Sequence, residues 1–214
     1  MSESAATPGS GENERFPGFN VLAQMGAWDR VTAGVVLDRL AMPPDIRFFT
    51  PAEEATARAL FDQLLDQHED PRVPIVNMVD ARLAEQQTDG WHYDDVPEDG
   101  QAWRDTLKHL DEDAQAQHGS AFHACSEAQQ AALLQSIMAG GAQPWHGLNA
   151  HRVWSLWTRY ACTAFCSHPW AWNEMGFPGP AYPRGYKNFG VGEREPFEVR
   201  DARPNDDPAR ESRP

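Results

Sequence analysis

Apolar positions recur at helical spacing along most of the chain. Ala57, Leu60, Phe61, Leu64 and Leu65 fall at i, i+3, i+4, i+7 and i+8, the stripe that an amphipathic helix turns toward a core. They follow Thr50-Pro51-Ala52-Glu53, which reads as an N-cap, a proline at the first helical position and a capping-box glutamate. Asp70-Pro71 closes that segment. Val76, Val79 and Leu83 mark a second helix starting near Pro74, and Trp103, Leu107, Leu110 and Ala114 space a third. Ser126-Glu127-Ala128-Gln129 is another capping box, with Leu133, Leu134, Ile137 and Met138 on one face behind it and Gly140-Gly141 as the stop. Asn149 can cap a last helix whose face includes Val153, Trp154, Trp157, Tyr160, Ala161, Ala164 and Phe165, and His168-Pro169 ends it. A shorter helix over about Trp28–Leu40 precedes all of these. No run sustains period-2 alternation, and no unit repeats at a fixed period. The pattern predicts an all-α fold, a compact bundle of about five to six helices.

After Pro169 the texture changes. Residues 170–186 are dense in Gly, Pro and aromatic side chains. Proline fixes φ and glycine supplies positive φ, so this stretch is expected to be ordered but non-helical. It would form a C-terminal wrap over 169–190, strapped over the helical core or docked into another chain. The ends differ again. MSESAATPGSGENER has neither a basic region leading into an apolar stretch nor a twin-Arg pair, and it reads as a disordered leader over 1–15. From Val191 to Pro214 there are seven acids, five Arg and four Pro, with Phe197 the only aromatic. The expected organisation is a leader, a single helical domain over 16–190 and a charged, Pro-containing tail over 191–214.

Charge narrows the function classes. Among 214 residues, 32 acids face 18 Lys and Arg, a net charge of −14, so general affinity for nucleic acid or an anionic membrane is not expected. No uncharged run is apolar enough to insert into a bilayer. The charge is also uneven. Eighteen of the acids lie between Asp45 and Asp113, whereas Ala128 to Gly190 has one acid, Glu174, against Arg152, Arg159, Arg184 and Lys187. That same stretch holds 11 of the 22 aromatics. Such an excess suits a Trp-rich core helix with an aromatic wrap, or a partner-binding surface, since aromatics and Arg anchor interfaces.

Candidate chemistry is sparse. Cys162 and Cys166 sit at i, i+4 on the last helix with His168 two residues on. Thiolates one turn apart can bind zinc with two further ligands, but only Cys125 with His123 offers a loose second pair. Small buried thiols in a helical core are the simpler expectation. His146 and His151 flank a turn with Trp145, and no Glu-x-x-His or His-Glu-x-x-His pair occurs. The acids at 89–100 resemble a calcium loop in composition only and are expected to form a solvated loop. There is no phosphate loop, dinucleotide fingerprint or nucleophile elbow. No catalytic, cofactor-binding or metal-ligating residue is assigned.

A family resemblance emerges from the order of these pieces. Phe49-Thr50-Pro51-Ala52-Glu53-Glu54, Trp103 to Leu110, Leu110-Asp111-Glu112-Asp113-Ala114, Phe122 before the Ser126 cap, and Phe165-Cys166-Ser167-His168-Pro169 follow one another as in the gluconate 2-dehydrogenase subunit 3 family. Ala171-Trp172-Asn173-Glu174-Met175-Gly176-Phe177-Pro178-Gly179-Pro180 and Tyr182-Pro183-Arg184-Gly185-Tyr186 resemble it most specifically, and the likeness spans roughly 48–190. The resemblance implies an accessory subunit of an oxidoreductase complex. Its partner would be a large FAD-dependent dehydrogenase of the glucose-methanol-choline type, acting on a sugar or alcohol. Some such complexes add a cytochrome c subunit. The small subunit would assist folding, flavin loading or export, with the FAD held by the partner and none in this chain. Many members carry a twin-Arg export signal; without one the expectation is a cytoplasmic chain, or one carried out on its partner's signal.

Residues and resemblance together predict a partner interface at Trp170, Trp172, Phe177, Tyr182, Arg184 and Tyr186. The alternative is a stand-alone helical metal-binding or thiol-redox protein using Cys162, Cys166 and His168.

Overall fold

The computed structural model describes residues 15–70, 72–188 and 190–206. Apart from Arg15, the expected leader lies outside the described residues, as do Pro71, Phe189 and the last part of the charged tail, 207–214. The fold is all-α, as the periodicity predicts. Seven α-helices are found among the described residues: α1 (Arg30–Asp38), α2 (Pro51–Leu65), α3 (Ile75–Ala84), α4 (Asp99–His118), α5 (Glu127–Ala139), α6 (Ala150–Ser167) and α7 (Pro169–Met175). Two 3-10 turns, Val21–Ala27 and Phe122–Ala124, and a two-residue antiparallel ladder, β1 (Pro144–Trp145) with β2 (Leu148–Asn149), complete the list. The helix count exceeds the expected five or six because the segment after His168, expected to be non-helical, opens with α7. His168 caps that helix through its side chain and Pro169 occupies its first position. Proline at that position loses no hydrogen bond and arrives with helical φ, so the residue that ends one helix begins the next. Gly176, in the left-handed conformation at φ 65°, stops it.

The described residues divide into two compact units, one from the stretches up to 41 and from 166 on, the other from 42–165. In the second unit α2 packs against α3, α4 and α5. Both predicted capping boxes form, Thr50 with Glu53 and Ser126 with Gln129, and Asn149 accepts from the backbone N–H of His151 at 3.0 Å. The predicted stripes of α2, α3 and α4 point inward: Ala57, Leu60, Phe61, Val76, Val79, Trp103, Leu107, Leu110 and Ala114 are buried. Met138, expected on the inner face of α5, is 51% exposed. α2 ends at Leu65, ahead of Asp70-Pro71, because Asp66 takes the left-handed conformation at φ 53°. At the centre, Trp103 meets Phe61 at 5.4 Å and Tyr160 edge-on at 5.6 Å between ring centroids.

Carboxylates tie these helices to the loops between them. Asp80 of α3 is fully buried. Its oxygens accept the backbone N–H groups of Arg47, Phe48 and Phe49 at 2.6, 2.9 and 2.8 Å, which fixes the segment that enters α2. Asp111 of α4 accepts the Thr56 hydroxyl of α2 and the Phe122 N–H at 2.8 Å. Arg104 donates to Glu53 and to the Phe48 carbonyl while lying 4.2 Å from the Phe48 ring centroid. Each buried donor or acceptor left without a partner costs roughly 1–3 kcal/mol.

Asp80→Ala strips three adjacent N–H groups of their acceptor at once. The expected loss is about 3–5 kcal/mol, read as a lower urea midpoint; Asp80→Asn, which keeps one acceptor oxygen, should lose less.

Candidate functional site

In the first unit α7 and the chain after it surround a small apolar core of Val21, Trp28, Val36 and Trp172. Trp172 is 3% exposed. Its indole N–H donates to the Cys166 carbonyl at 2.7 Å, Phe177 meets its ring edge-on at 5.4 Å, and the Arg39 guanidinium lies 5.5 Å from it. Asn173 accepts the Val21 N–H at 2.8 Å, so α7 holds the 3-10 turn by a hydrogen bond as well as by packing. Gly179 is buried at φ 77°, and a Cβ there would lie 2.4 Å from Trp28 Cζ2. Only glycine allows the backbone to turn this way while lying flat on an indole.

The six residues predicted for a partner interface separate into two groups. Trp172 belongs to the core and Trp170 is half-buried against His168, with ring centroids 4.9 Å apart. Arg184 is turned inward: it donates to Gln24 Oε1 at 2.9 Å and to the Pro178 carbonyl at 3.0 Å, and its guanidinium lies 3.5 Å from the Phe197 ring centroid. Burial holds its pKa below the usual arginine range. Arg184 therefore clasps the segment to the 3-10 turn. The other three face outward, with Phe177 39%, Tyr182 65% and Tyr186 42% exposed. Alternation of glycine and proline marks the segment as ordered, but it does not say which ring turns in.

Residues 191–206 join the same unit. Glu195 is buried and accepts the backbone N–H groups of Asn188, at 2.6 Å, and Lys187, which hold its carboxyl below the usual range. Asp201 pairs with Arg15 and the Ala202 N–H donates to the Arg15 carbonyl at 2.7 Å. On α1, Val31 and Val35 stand one turn apart and are 74% and 51% exposed, an outward apolar pair that the helical pattern of that short segment does not signal.

The thiol group expected as an alternative is not assembled. Cys162 and Cys166 are exposed rather than buried, and only Cys125 is an internal thiol. Trp157, Tyr160, Ala161 and Ala164 take the inner face of α6, leaving 162 and 166 on the other. His168 is 2% exposed, its Nδ1 accepts the Trp170 N–H at 3.2 Å, and it bonds the backbone of Arg39. Burial is the main reason its pKa falls to about 4, so the neutral ring serves as the cap acceptor. Among the described residues, the side chains that bring possible metal ligands together are instead His109, Glu112 and His146. His109-x-x-Glu112 reverses the Glu-x-x-His order sought in the sequence, and His146 comes from a distant turn.

Of the five acids of 89–100, expected in a solvated loop, Asp94 and Glu98 are exposed while the other three are engaged. Asp89 pairs with Arg82 and Arg159, Asp95 with Arg152 at 3.4 Å. Asp99 is 4% exposed and accepts the Tyr160 hydroxyl at 2.6 Å. Burial first, then the Asp99 carboxylate, pushes the Tyr160 phenol well above its usual range, so it remains a donor. Arg82 and Asp99 line a cleft of about 540 Å³ together with Phe48 and Trp91, and both are engaged, Arg82 by Asp89 and Asp99 by Tyr160 and Arg159. Among the described residues, no helix is long and apolar enough to cross a membrane.

A family model described as gluconate 2-dehydrogenase subunit 3 matches residues 51–179, well over half of the chain. The match runs from the first residue of α2 to the glycine that lies on Trp28, and it stops before Tyr182-Pro183-Arg184-Gly185-Tyr186. Neither curated proteins nor solved structures gave a significant match.

Two substitutions test the construction of this unit. Gly179→Ala, with both a clash and a positive φ, should cost about 2–3 kcal/mol, whereas Gly185→Ala, at φ 69° with open space around it, should cost only about 1 kcal/mol; urea denaturation distinguishes them. His168 is neutral in the fold, with its pKa near 4 against 6.5 when solvated. The unfolded chain therefore takes up the proton first as pH falls, so this contribution is complete above about 6.5 and is lost toward pH 4. His168→Asn, which keeps a capping side chain, should flatten that part of the stability profile.

Proposed function

The chain belongs to the gluconate 2-dehydrogenase subunit 3 family, and on that footing we propose that it is the non-catalytic small subunit of a large FAD-dependent dehydrogenase of the glucose-methanol-choline type. In this proposal the partner holds the FAD and oxidises the sugar or alcohol, a cytochrome c subunit receives electrons in some assemblies, and this chain stabilises or matures the flavoprotein. The family match carries the proposal.

The first unit supports it by its surface. Phe177, Tyr182 and Tyr186 present aromatic rings on a backbone fixed by Pro178, Gly179 and the Arg184 clasp, and α1 adds Val31 and Val35. Rings with two rotatable bonds, mounted on a rigid frame, lose little entropy on docking. Trp172 acts behind this surface, through the core that supports it. The acidic second unit is less suited to docking by burial, because a charged surface must shed its water before it can be covered.

Purification of the tagged chain from its native host, followed by a visible spectrum and mass analysis, tests the proposal: a flavin spectrum with a larger companion chain is expected, and a colourless single chain would overturn it. Tyr182→Ser combined with Val35→Glu should weaken recovery of the companion at least tenfold while leaving the far-ultraviolet circular dichroism unchanged.

A further inference from the structure

His109 and Glu112 stand one turn apart on α4, and His146 reaches them from the turn between β1 and β2. One ligand atom from each lies within 4.8 Å of the others. The two imidazoles stack with centroids 4.3 Å apart and planes 9° from parallel. Glu112 Oε2 is 2.9 Å from His109 Nδ1 and 3.9 Å from His146 Nδ1, so the carboxylate faces the same nitrogen of both rings.

The surroundings orient His146. Its Nε2 is 2.8 Å from Asp113 Oδ1. An ionised carboxylate only accepts hydrogen bonds, so Nε2 carries the proton and the neutral ring keeps its lone pair on Nδ1, toward Glu112. The other oxygen, Asp113 Oδ2, accepts the Trp145 indole N–H at 2.8 Å, and Trp145 packs edge-on against Trp157 at 5.7 Å. The turn itself takes positive φ at both central residues, His146 at 48° and Gly147 at 84°, which is the geometry of a tight hairpin. A histidine rarely adopts that conformation, and here it brings the imidazole over α4.

Two histidine nitrogens and one carboxylate oxygen are the donor set of open zinc sites. A second carboxylate on the far nitrogen of a ligating histidine is the usual outer partner of such a ligand. We propose that His109 Nδ1, His146 Nδ1 and Glu112 Oε2 bind a zinc-type divalent cation, with water completing the shell, and that the ion clamps the β1–β2 hairpin to α4. Ligand bonds of about 2.0–2.2 Å place donor atoms roughly 3.3 Å apart in a tetrahedral shell. The three side chains therefore move inward on binding and the rings leave their parallel stack. All three are partly exposed, with 22%, 48% and 29% of the side-chain surface of His109, Glu112 and His146 accessible, so this rotation does not disturb the packed core.

The test uses the untagged full chain, stripped with chelator and titrated with Zn²⁺ by calorimetry and with Co²⁺ by visible absorption. One ion per chain, a higher thermal midpoint with Zn²⁺ and a Co²⁺ spectrum without thiolate charge-transfer bands are expected. Glu112→Gln should weaken binding at least tenfold and abolish the thermal shift. His146→Asn should do the same, since asparagine tolerates the positive φ; where that variant misfolds, Glu112→Gln on its exposed position decides. Cys162→Ser with Cys166→Ser should bind like the parent. Absence of binding, binding that follows the cysteines, or equal affinity in Glu112→Gln overturns the proposal.

Discussion

Asp80 has no access to water, so its carboxylate must find donors within the protein, and three consecutive backbone N–H groups supply them. The rest of the second unit follows from that arrangement. With residues 47–49 held against α3, Thr50 stands where it can cap α2, Phe49 turns toward Trp103 at 6.2 Å, and Phe48 lies under Arg104. Asp111 repeats the device between α2, α4 and the Phe122 turn, and Asp99 does so with Tyr160. A chain with so many acids keeps most of them in water, but these few act as fixed acceptors. Their cost is offset because the donors they take, backbone N–H groups at a helix entry and a turn and the hydroxyls of Thr56 and Tyr160, would otherwise lose a partner.

The first unit is built on a different constraint, the close approach of backbone to aromatic rings. Its core is small, and Trp172 and Trp28 supply much of it. Gly179 lets the chain lie on Trp28, Arg184 closes the loop on Gln24 and Pro178, and the remaining rings are left facing outward. A surface of this kind owes its shape to the core beneath it. Trp172 and Arg184, predicted as contact residues, prepare the surface from within, while Phe177, Tyr182 and Tyr186 present it.

The two proposals draw on different chemistry in separate parts of the chain. Docking to a flavoprotein rests on apolar and aromatic exposure around α1 and the segment after α7. Cation binding rests on nitrogen and oxygen donors of α4 and the short hairpin. Neither needs the other, and a metal clamp on α4 and the hairpin would stabilise the second unit.

The sequence by itself determined the helices, because helical periodicity and capping are local properties: the stripes of α2, α3, α4 and α6 and the boxes at Thr50 and Ser126 are all written within a few residues. It also carried the family likeness, through the order of those pieces and Trp172 to Gly179. Tertiary structure alone decided the fate of individual side chains. Cys162 and Cys166 face outward because four neighbours on α6 fill the inner face. Asp89, Asp95 and Asp99 are spent on Arg152, Arg159 and Tyr160, partners far along the chain, and on Arg82. α7 was hidden because Pro, Gly and His read as breakers, whereas a proline following a capping residue starts a helix. His109, Glu112 and His146 meet only because a hairpin with positive φ folds back onto α4, and no spacing rule in one dimension reports a contact made across a turn in three.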